Sequence, residues 1–421
     1  MTIVNPPVMD SPVGVGVIPR DTGALASELT VTLLTGGIDR PYAFGLSMAL
    51  ASKGVALDIV GNAHIASPEM YAAPKLNFLN LYGDQPPTVT AVKKLWRYPV
   101  VYWRILRYAA TAKPKIFHIL WNGRLQLFDR TFLMLYYKAL GKKIVLTAHN
   151  VNVAKRDGYD SSINRLSLRV QYHLVDHIFV HTDKMKEELV SEFEVKKEKV
   201  SVIAFGINNS VPDTELTPVQ AKQKVRVSSS ARTILCYGRI RPYKGIEYLV
   251  AALRLTLHKD DSYRLIIAGE FLKESREYWG QIQETIEREG LGERVIQEIR
   301  FIPDEETEIY FKAADVLVLP YTGVFQSGVL FLAYSFGLPV IASDIGSFRD
   351  DIVEGETGYV CRAGDEADLA RAIETYFESG LFKNLDRSRA AIRDFARARN
   401  SWSAVGDATC NVYAQLMAQH R

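Results

Sequence analysis

Residues 28–61 read ELTVTLLTGGIDRPYAFGLSMALASKGVALDIVG, and their order decides the fold. ELTVTLLTGG reads as a strand closed by a glycine turn. AFGLSMALASKG places apolar residues at helical spacing with Gly54 as C-cap, and VALDIVG is the next strand. Working outward, KIFHILW (115–121), KKIVLTAHN (142–150) and HIFVHT (177–182) are further strands with helical stretches between them. The pattern returns in RTILCYGRI (232–240), YRLIIAGE (263–270), VLVLP (316–320) and LPVIASD (338–344). Near-continuous Val/Ile/Leu runs alternating with helices indicate parallel sheets covered on both faces. Because the pattern occurs twice, the expected class is α/β, with two Rossmann-like doubly wound domains.

The expected boundaries are 1–205 for the first domain, 206–391 for the second, and 392–421 for a closing amphipathic helix. Asn, Ser and Pro interrupt the pattern from Phe205 to Gln220, which reads as the linker. The polar KQKVRVSSSA that follows reads as a surface loop. Residues 1–27, rich in Pro, Gly and Val, read as an extension. A length of 421 residues also suits two domains. No window holds the roughly 18 apolar residues of a membrane span, and no basic segment leads an apolar block at the start. Cys236, Cys361 and Cys410 are far apart with no CxxC spacing, which excludes a disulfide framework and a zinc site and fits a reducing cytoplasm.

The net charge of +3 hides an asymmetry. Through residue 200 there are 25 Lys and Arg against 17 Asp and Glu; the remainder carries 26 against 31. Between Lys93 and Lys143, 12 basic residues accompany a single acid, Asp129. Such a block lacks the partners of a salt-bridged helix face and creates a positive potential. Residues 91–115 interleave Lys93, Lys94, Arg97, Arg104 and Arg107 with Trp96, Tyr98, Tyr102, Trp103 and Tyr108. This suits either an anionic membrane surface or a helix packed on the sheet with solvated cations. No nucleic-acid module accompanies it, so nucleic acid is not an expected partner.

Ligands of open parallel sheets bind beyond the C-terminal strand ends. Thr35-Gly36-Gly37 lies there, as a tight turn or as a backbone that approaches a phosphate. Gly238-Arg239-Ile240-Arg241-Pro242-Tyr243-Lys244-Gly245 sets cations between glycines, as a diphosphate requires; a solvated basic turn is the plainer reading. In the loop after VLVLP, Gln326-Ser327-Gly328-Val329 falls at a helix start. Its free amides would hold anionic oxygens, or Ser327 would simply cap the helix. His149 ends a strand, where it would meet a sugar hydroxyl or a developing charge. His118 and His181 read more readily as structural.

Together these residues resemble a family four glycosyltransferase of the GT-B fold. The resemblance rests on the Gly36-Gly37 loop, His149 in a THN-like turn, and Arg239 with Lys244 at Arg-x4-Lys spacing. It continues through LIIAGE, FIPDEETEIYFKAADVLVLPY and SGVLFLAYSFGLPVIASDIGSFRDDIVEGETGYV to SW in RNSWSAV. It implies two domains facing a cleft, with a closing helix that crosses back to the first. It further implies retaining, metal-independent transfer of a sugar from a UDP- or GDP-sugar to a glycan or lipid-linked acceptor, with no other cofactor. His149, Arg239 and Lys244 would be catalytic. Gly238, Arg239, Lys244, Gln326, Ser327, Gly328 and Val329 would bind the donor diphosphate, and Gly36-Gly37 would face the acceptor or the phosphate. Many members carry two glutamates separated by seven residues; here those positions hold Val324 and Leu332. The departure leaves a second possibility, a nucleotide-sugar-binding subunit without chemistry. A sugar-nucleotide epimerase fits the residues less well. The implied location is the cytoplasm, peripheral on the inner face of the membrane.

Overall fold

A computed structural model describes residues 29–83, 91–207 and 211–418, with the side chains of 91–96 left aside. The expected extension 1–27 therefore lies outside the described residues, as do the side chains of Lys93, Lys94 and Trp96. The chain forms two sheets in which every recorded strand pair is parallel. The first comprises β1 (Thr30–Leu34), β2 (Ala56–Gly61), β3 (Leu76–Asn80), β4 (Ile116–Ile119), β5 (Lys143–Thr147), β6 (His177–Val180) and β7 (Val200–Val202). Its spatial order is β3-β2-β1-β4-β5-β6-β7. The second comprises β8 (Arg232–Tyr237), β9 (Tyr263–Ala268), β10 (Val295–Glu298), β11 (Val316–Leu319), β12 (Val340–Ser343) and β13 (Gly358–Cys361), ordered β10-β9-β8-β11-β12-β13. Strand order reverses between β1 and β4, and again between β8 and β11. Those are the switch points at which doubly wound sheets open a crevice.

The central strands have fully buried apolar side chains, as two-sided coverage demands. Four strands are not among those read from the sequence: β3, β7, β10 and β13. All four lie at sheet edges, where partial exposure admits polar residues and breaks the unbroken apolar run that marks the inner strands. KQKVRVSSSA is not a simple surface loop. Lys222 and Lys224 end the helix Pro218–Lys224, and Val225 and Val227 are buried. Lys222 Nζ is buried too, 2.9 Å from Asp315 and 2.8 Å from the Ala231 carbonyl. The linker is correspondingly shorter, since Thr217 already caps that helix with a reciprocal Gln220 bond.

The closing helix, Trp402–Ala418, packs on Arg40–Ser52 of the first sheet's half. Gly406 sits so close to that helix that a Cβ would lie 2.8 Å from Lys53 Cε and 3.3 Å from Ala49 Cβ. Lys53 pairs with Asp407 at 2.6 Å, and Tyr413 OH lies 2.6 Å from His118 Nδ1. Trp402 is the pivot. Its Nε1 donates to the Ile207 carbonyl at 2.7 Å, and Cβ atoms on Gly45 and Gly206 would come within 2.0 and 2.4 Å of its ring.

Both contacts are with a rigid indole locked by its own hydrogen bond, so added methyl groups have nowhere to go. Gly45→Ala and Gly206→Ala are each expected to destabilise the fold by roughly 1–3 kcal/mol through overpacking. Thermal unfolding reads this directly, and an unchanged midpoint in both variants would show that Trp402 is not confined.

Candidate active site

The two switch points face each other. On the first sheet, Thr35 accepts from Gly37 N at 3.1 Å and donates to the Val60 carbonyl at 2.9 Å, which closes the turn after β1. Gly36 and Gly37 have φ of +63° and +73°. A Cβ on Gly36 would lie 2.8 Å from the Trp121 and Asn122 carbonyls, and one on Gly37 2.6 Å from Asn62 Nδ2. Glycine is required here by backbone conformation and by space. The tight-turn reading thus accounts for both residues, while the same turn carries Asp39 to the cleft and brings Gly36 against the Trp121 carbonyl at the end of β4.

His149 is buried just beyond β5. Its ring stacks on Trp121 (centroids 4.4 Å apart, 7° between planes) and meets Tyr42 edge-on at 4.5 Å. Its Nδ1 lies 3.1 Å from His181 Nε2, and His181 Nδ1 lies 3.3 Å from the Ile203 carbonyl. Burial holds His149 well below the usual imidazole range, with His181 and His118 adding repulsion, and pushes His181 down to about 4. Both rings are therefore neutral near pH 7. A carbonyl only accepts, so His181 Nδ1–H donates to Ile203 and its Nε2 accepts from His149 Nδ1–H. His149 Nε2 is left as a lone pair, buried without a partner. It can accept a hydrogen bond from a ligand hydroxyl but cannot donate to a phosphate.

His118 lies elsewhere. It is fully buried within β4, bonded to Tyr413 and Thr147, and pushed down to about 3 by burial. It is a satisfied core histidine. His181 does what sequence reasoning did not foresee, fixing the tautomer of His149.

On the second sheet, Gly238 ends β8 with φ +99°, and a Cβ there would lie 3.2 Å from Lys244 Nζ and 3.5 Å from Val329 Cγ2. Lys244 closes the short turn Pro242–Lys244, and Gly245, φ +63°, starts the helix Ile246–Leu257. Lys244 is buried. It donates to Tyr321 OH at 2.7 Å and to the Tyr237 carbonyl at 3.2 Å. Burial lowers its pKa, and Arg239 lowers it further, against the opposing pull of Tyr243 and Cys236. Arg239 is more exposed and lies 3.5 Å from Glu270. The loop is therefore not a solvated basic turn, because its lysine is buried and no carboxylate pairs with it among the described residues, while Arg239 pairs with Glu270.

Ser327 precedes the helix Gly328–Ser335 but makes no side-chain cap bond, so it is not the capping hydroxyl considered above. It lies against Tyr321, lowering that phenol's otherwise raised pKa. The first-turn amides at Gly328 and Val329 belong to the set a helix leaves unpaired. Gln326 Oε1 is buried without a partner. Gly346 supports this loop, since a Cβ there would lie 2.4 Å from the Val324 carbonyl.

A cavity of about 240 Å³ joins the halves, lined by Asp39, Tyr42 and Phe205 on one side and Gly328, Val329 and Leu332 on the other. Asp39, a non-glycine residue at φ 56°, caps the helix Arg40–Ser52 through Tyr42 N, and burial raises its carboxyl to about 6. Three further contacts cross the cleft. Arg156 lies 4.5 Å over the Tyr243 ring, Arg40 pairs with Asp304 at 3.2 Å, and Phe205 stacks on Phe331 at 5.3 Å. Sequence reasoning missed Trp121, Tyr321, Asp39 and Arg156. The first two end strands already read, so position alone was the available signal.

An anion at Lys244 would raise its pKa, so binding takes up protons. Affinity for inorganic diphosphate is expected to fall as pH rises through the Lys244 transition, which begins below the ordinary lysine range. Calorimetric titration across pH checks this, with Lys244→Ala expected to lack that limb; an identical pH dependence in the variant refutes it.

The family model described as Glycosyltransferase Family 4 matches residues 36–211, and that described as Glycosyl transferases group 1 matches residues 231–379. A D-inositol 3-phosphate glycosyltransferase of Corynebacterium efficiens is 25% identical over 288 residues, covering 65% of each chain. An uncharacterized glycosyltransferase of Methanocaldococcus jannaschii is 24% identical over 281 residues, 65% of this chain and 69% of that one. The chain thus spans about 65% of the length of the first of these curated relatives. Among solved structures, sucrose-phosphate synthase of Thermosynechococcus elongatus aligns with TM-score 0.72 at 20% identity, covering 93% of this chain and all of that one. HepE of Anabaena in complex with UDP-glucose aligns with TM-score 0.69 at 15% identity, covering 94% of this chain and all of that one. These likenesses show a shared two-domain GT-B fold. With the two family models spanning both sheets, the chain belongs to the group 1, family four type of glycosyltransferases.

Proposed function

We propose that the protein moves a glycosyl group from a UDP- or GDP-sugar to a hydroxyl of a glycan or lipid-linked acceptor, with retention at the anomeric carbon and without a metal. The observation that carries this reading is the buried Lys244 ammonium beside Gly238, which also lies against Val329 at a helix start, together with the unpartnered His149 Nε2 beyond β5 of the other sheet. Lys244, Arg239 and the amides of Ser327, Gly328 and Val329 suit a diphosphate that gains charge as it leaves. His149 Nε2 suits a hydroxyl of the transferred sugar. The family's retaining course suits this site, in which the departing phosphate oxygen takes the acceptor proton as the new glycosidic bond forms. Cytoplasmic polysaccharide or glycolipid assembly, peripheral on the membrane, fits the basic segment 91–115; among the described residues no helix is long and apolar enough to cross a membrane.

Arg239→Ala with Lys244→Ala is expected to lose about 3 kcal/mol or more of transition-state stabilisation, a fall of over a hundredfold in kcat/KM. A donor panel with product analysis measures it, and full activity in the double variant removes the proposal. Val324 and Leu332 favour one alternative, a binding subunit. Tight nucleotide binding with no turnover for any donor would select that reading.

A further inference from the structure

The sequence places a basic helix in the first half; the structure shows what surrounds it. In Ala91–Thr111, Val101, Tyr102, Ile105 and Ala109 face the core. Val100, Trp103, Arg104 and Arg107 follow helical spacing on the opposite face and are exposed, with Trp103 57% accessible and Arg107 5.3 Å over its ring. Segment 125–139 runs alongside. Leu125 N donates to Tyr102 OH at 3.3 Å, and Tyr136 OH donates to the Leu106 carbonyl at 3.2 Å. A π-helical turn, Asp129–Leu133, interrupts it, and around that turn Leu127, Phe132 (69% accessible) and Leu135 point outward.

The same turn draws the one acid of this stretch of sequence away from the outer face. Asp129, the single acid between Lys93 and Lys143, is buried beside Gly123 and Tyr102, and burial raises its carboxyl to about 6. Arg104 and Arg107 are exposed on this helix and form no ion pair among the described residues. The outer face thus combines large apolar side chains with unopposed cations. Exposed apolar groups of this size cost solvation that a soluble face has no reason to bear, and cations at their rim select an anionic surface.

We infer that Trp103, Leu127, Phe132 and Leu135 form an interfacial insertion surface for an anionic lipid bilayer, with the cations of the neighbouring helix at its rim. The proposal rests on the lipid-linked reading of the acceptor and extends it to elements outside residues 91–115. Segment 125–139 follows the β4 terminus that bears Trp121 and Asn122, so this surface lies next to the first switch point. A bilayer bound there would present hydroxylated headgroups beside the cleft, not on the far side of the domain.

Flotation of the full chain with vesicles tests this. Equal-part phosphatidylcholine and phosphatidylglycerol vesicles are expected to carry the protein upward, and pure phosphatidylcholine vesicles much less. Phe132→Ser with Leu135→Ser is expected to lower recovery on anionic vesicles by roughly tenfold or more. Its melting temperature and diphosphate binding should match the parent. Equal recovery of parent and variant overturns the inference, as does absence from both vesicle types. So does a soluble dimer that the same pair of substitutions abolishes, since the apolar face would then meet a second copy. Because no donor or acceptor is present, failure here leaves the transfer chemistry standing. Inactivity towards all donors, conversely, leaves vesicle binding intact.

Discussion

The arrangement depends on how Trp402 is confined. The indole packs against two glycines, Gly45 in the first helix and Gly206 in the linker, and its Nε1 is tied to the Ile207 carbonyl. A side chain at either glycine would displace the ring. Displacing the ring would move the linker, and the linker carries Phe205, which stacks on Phe331 of the second half and touches His149 and Tyr42 in the first. Asn400 adds a bond to the Phe205 carbonyl at 2.8 Å. The closing helix therefore sets the spacing of two sheets that share no strand. Trp402 also lies on the wall of the 240 Å³ cavity, so the element that holds the halves together also shapes the space between them.

Electrostatics sorts the two walls. A lysine buried beside an arginine is costly, and the lowered pKa of Lys244 records that cost. The structure contains it with Tyr321 OH and one carbonyl, both neutral acceptors, and leaves one ammonium hydrogen without a recorded partner. An acidic partner would relieve the strain but would also compete with an anionic ligand. The opposite wall is mainly aromatic, with the buried Asp39 carboxyl tied to Tyr42 N. His149, His181 and Tyr42 contribute aromatic surface and a single lone pair. In the proposed function, the ligand brings negative charge to Lys244 and a hydrogen-bond donor to His149, as a sugar joined to a diphosphate would.

Much of this was legible in the sequence, for specific reasons. The inner strands are visible because two-sided burial enforces unbroken apolar runs. Glycines 36, 37 and 238 stand out because positive φ and close approach leave no other residue. Arg239 and Lys244 follow from the same loop. What escaped lacks a one-dimensional trace. β3, LNFLN, is an edge strand with no fully buried residue, and β7 has only three residues. Val225 and Val227 sit in a polar stretch whose Lys222 finds Asp315 some 90 residues on. The tautomer of His149 depends on His181 and on a carbonyl at the end of β7, a relation that only the sheet order creates.

Asp129 shows how a sequence count can understate a surface. Counted along the chain, it offsets one of the twelve cations between Lys93 and Lys143. In space it offsets none of the exposed ones, because the π-helical turn buries its carboxyl and turns Phe132 outward in the same step. A regular helix through this segment would shift the facing of residues beyond the turn. A π-helical turn of this kind is rare and recurs at functional sites. Here it re-aims two side chains, an acid inward and an aromatic outward, and both changes make the outer face better suited to an anionic, partly apolar surface. The basic excess of the first half is thus more concentrated than its net charge suggests, with Arg104 and Arg107 beside the apolar outer face.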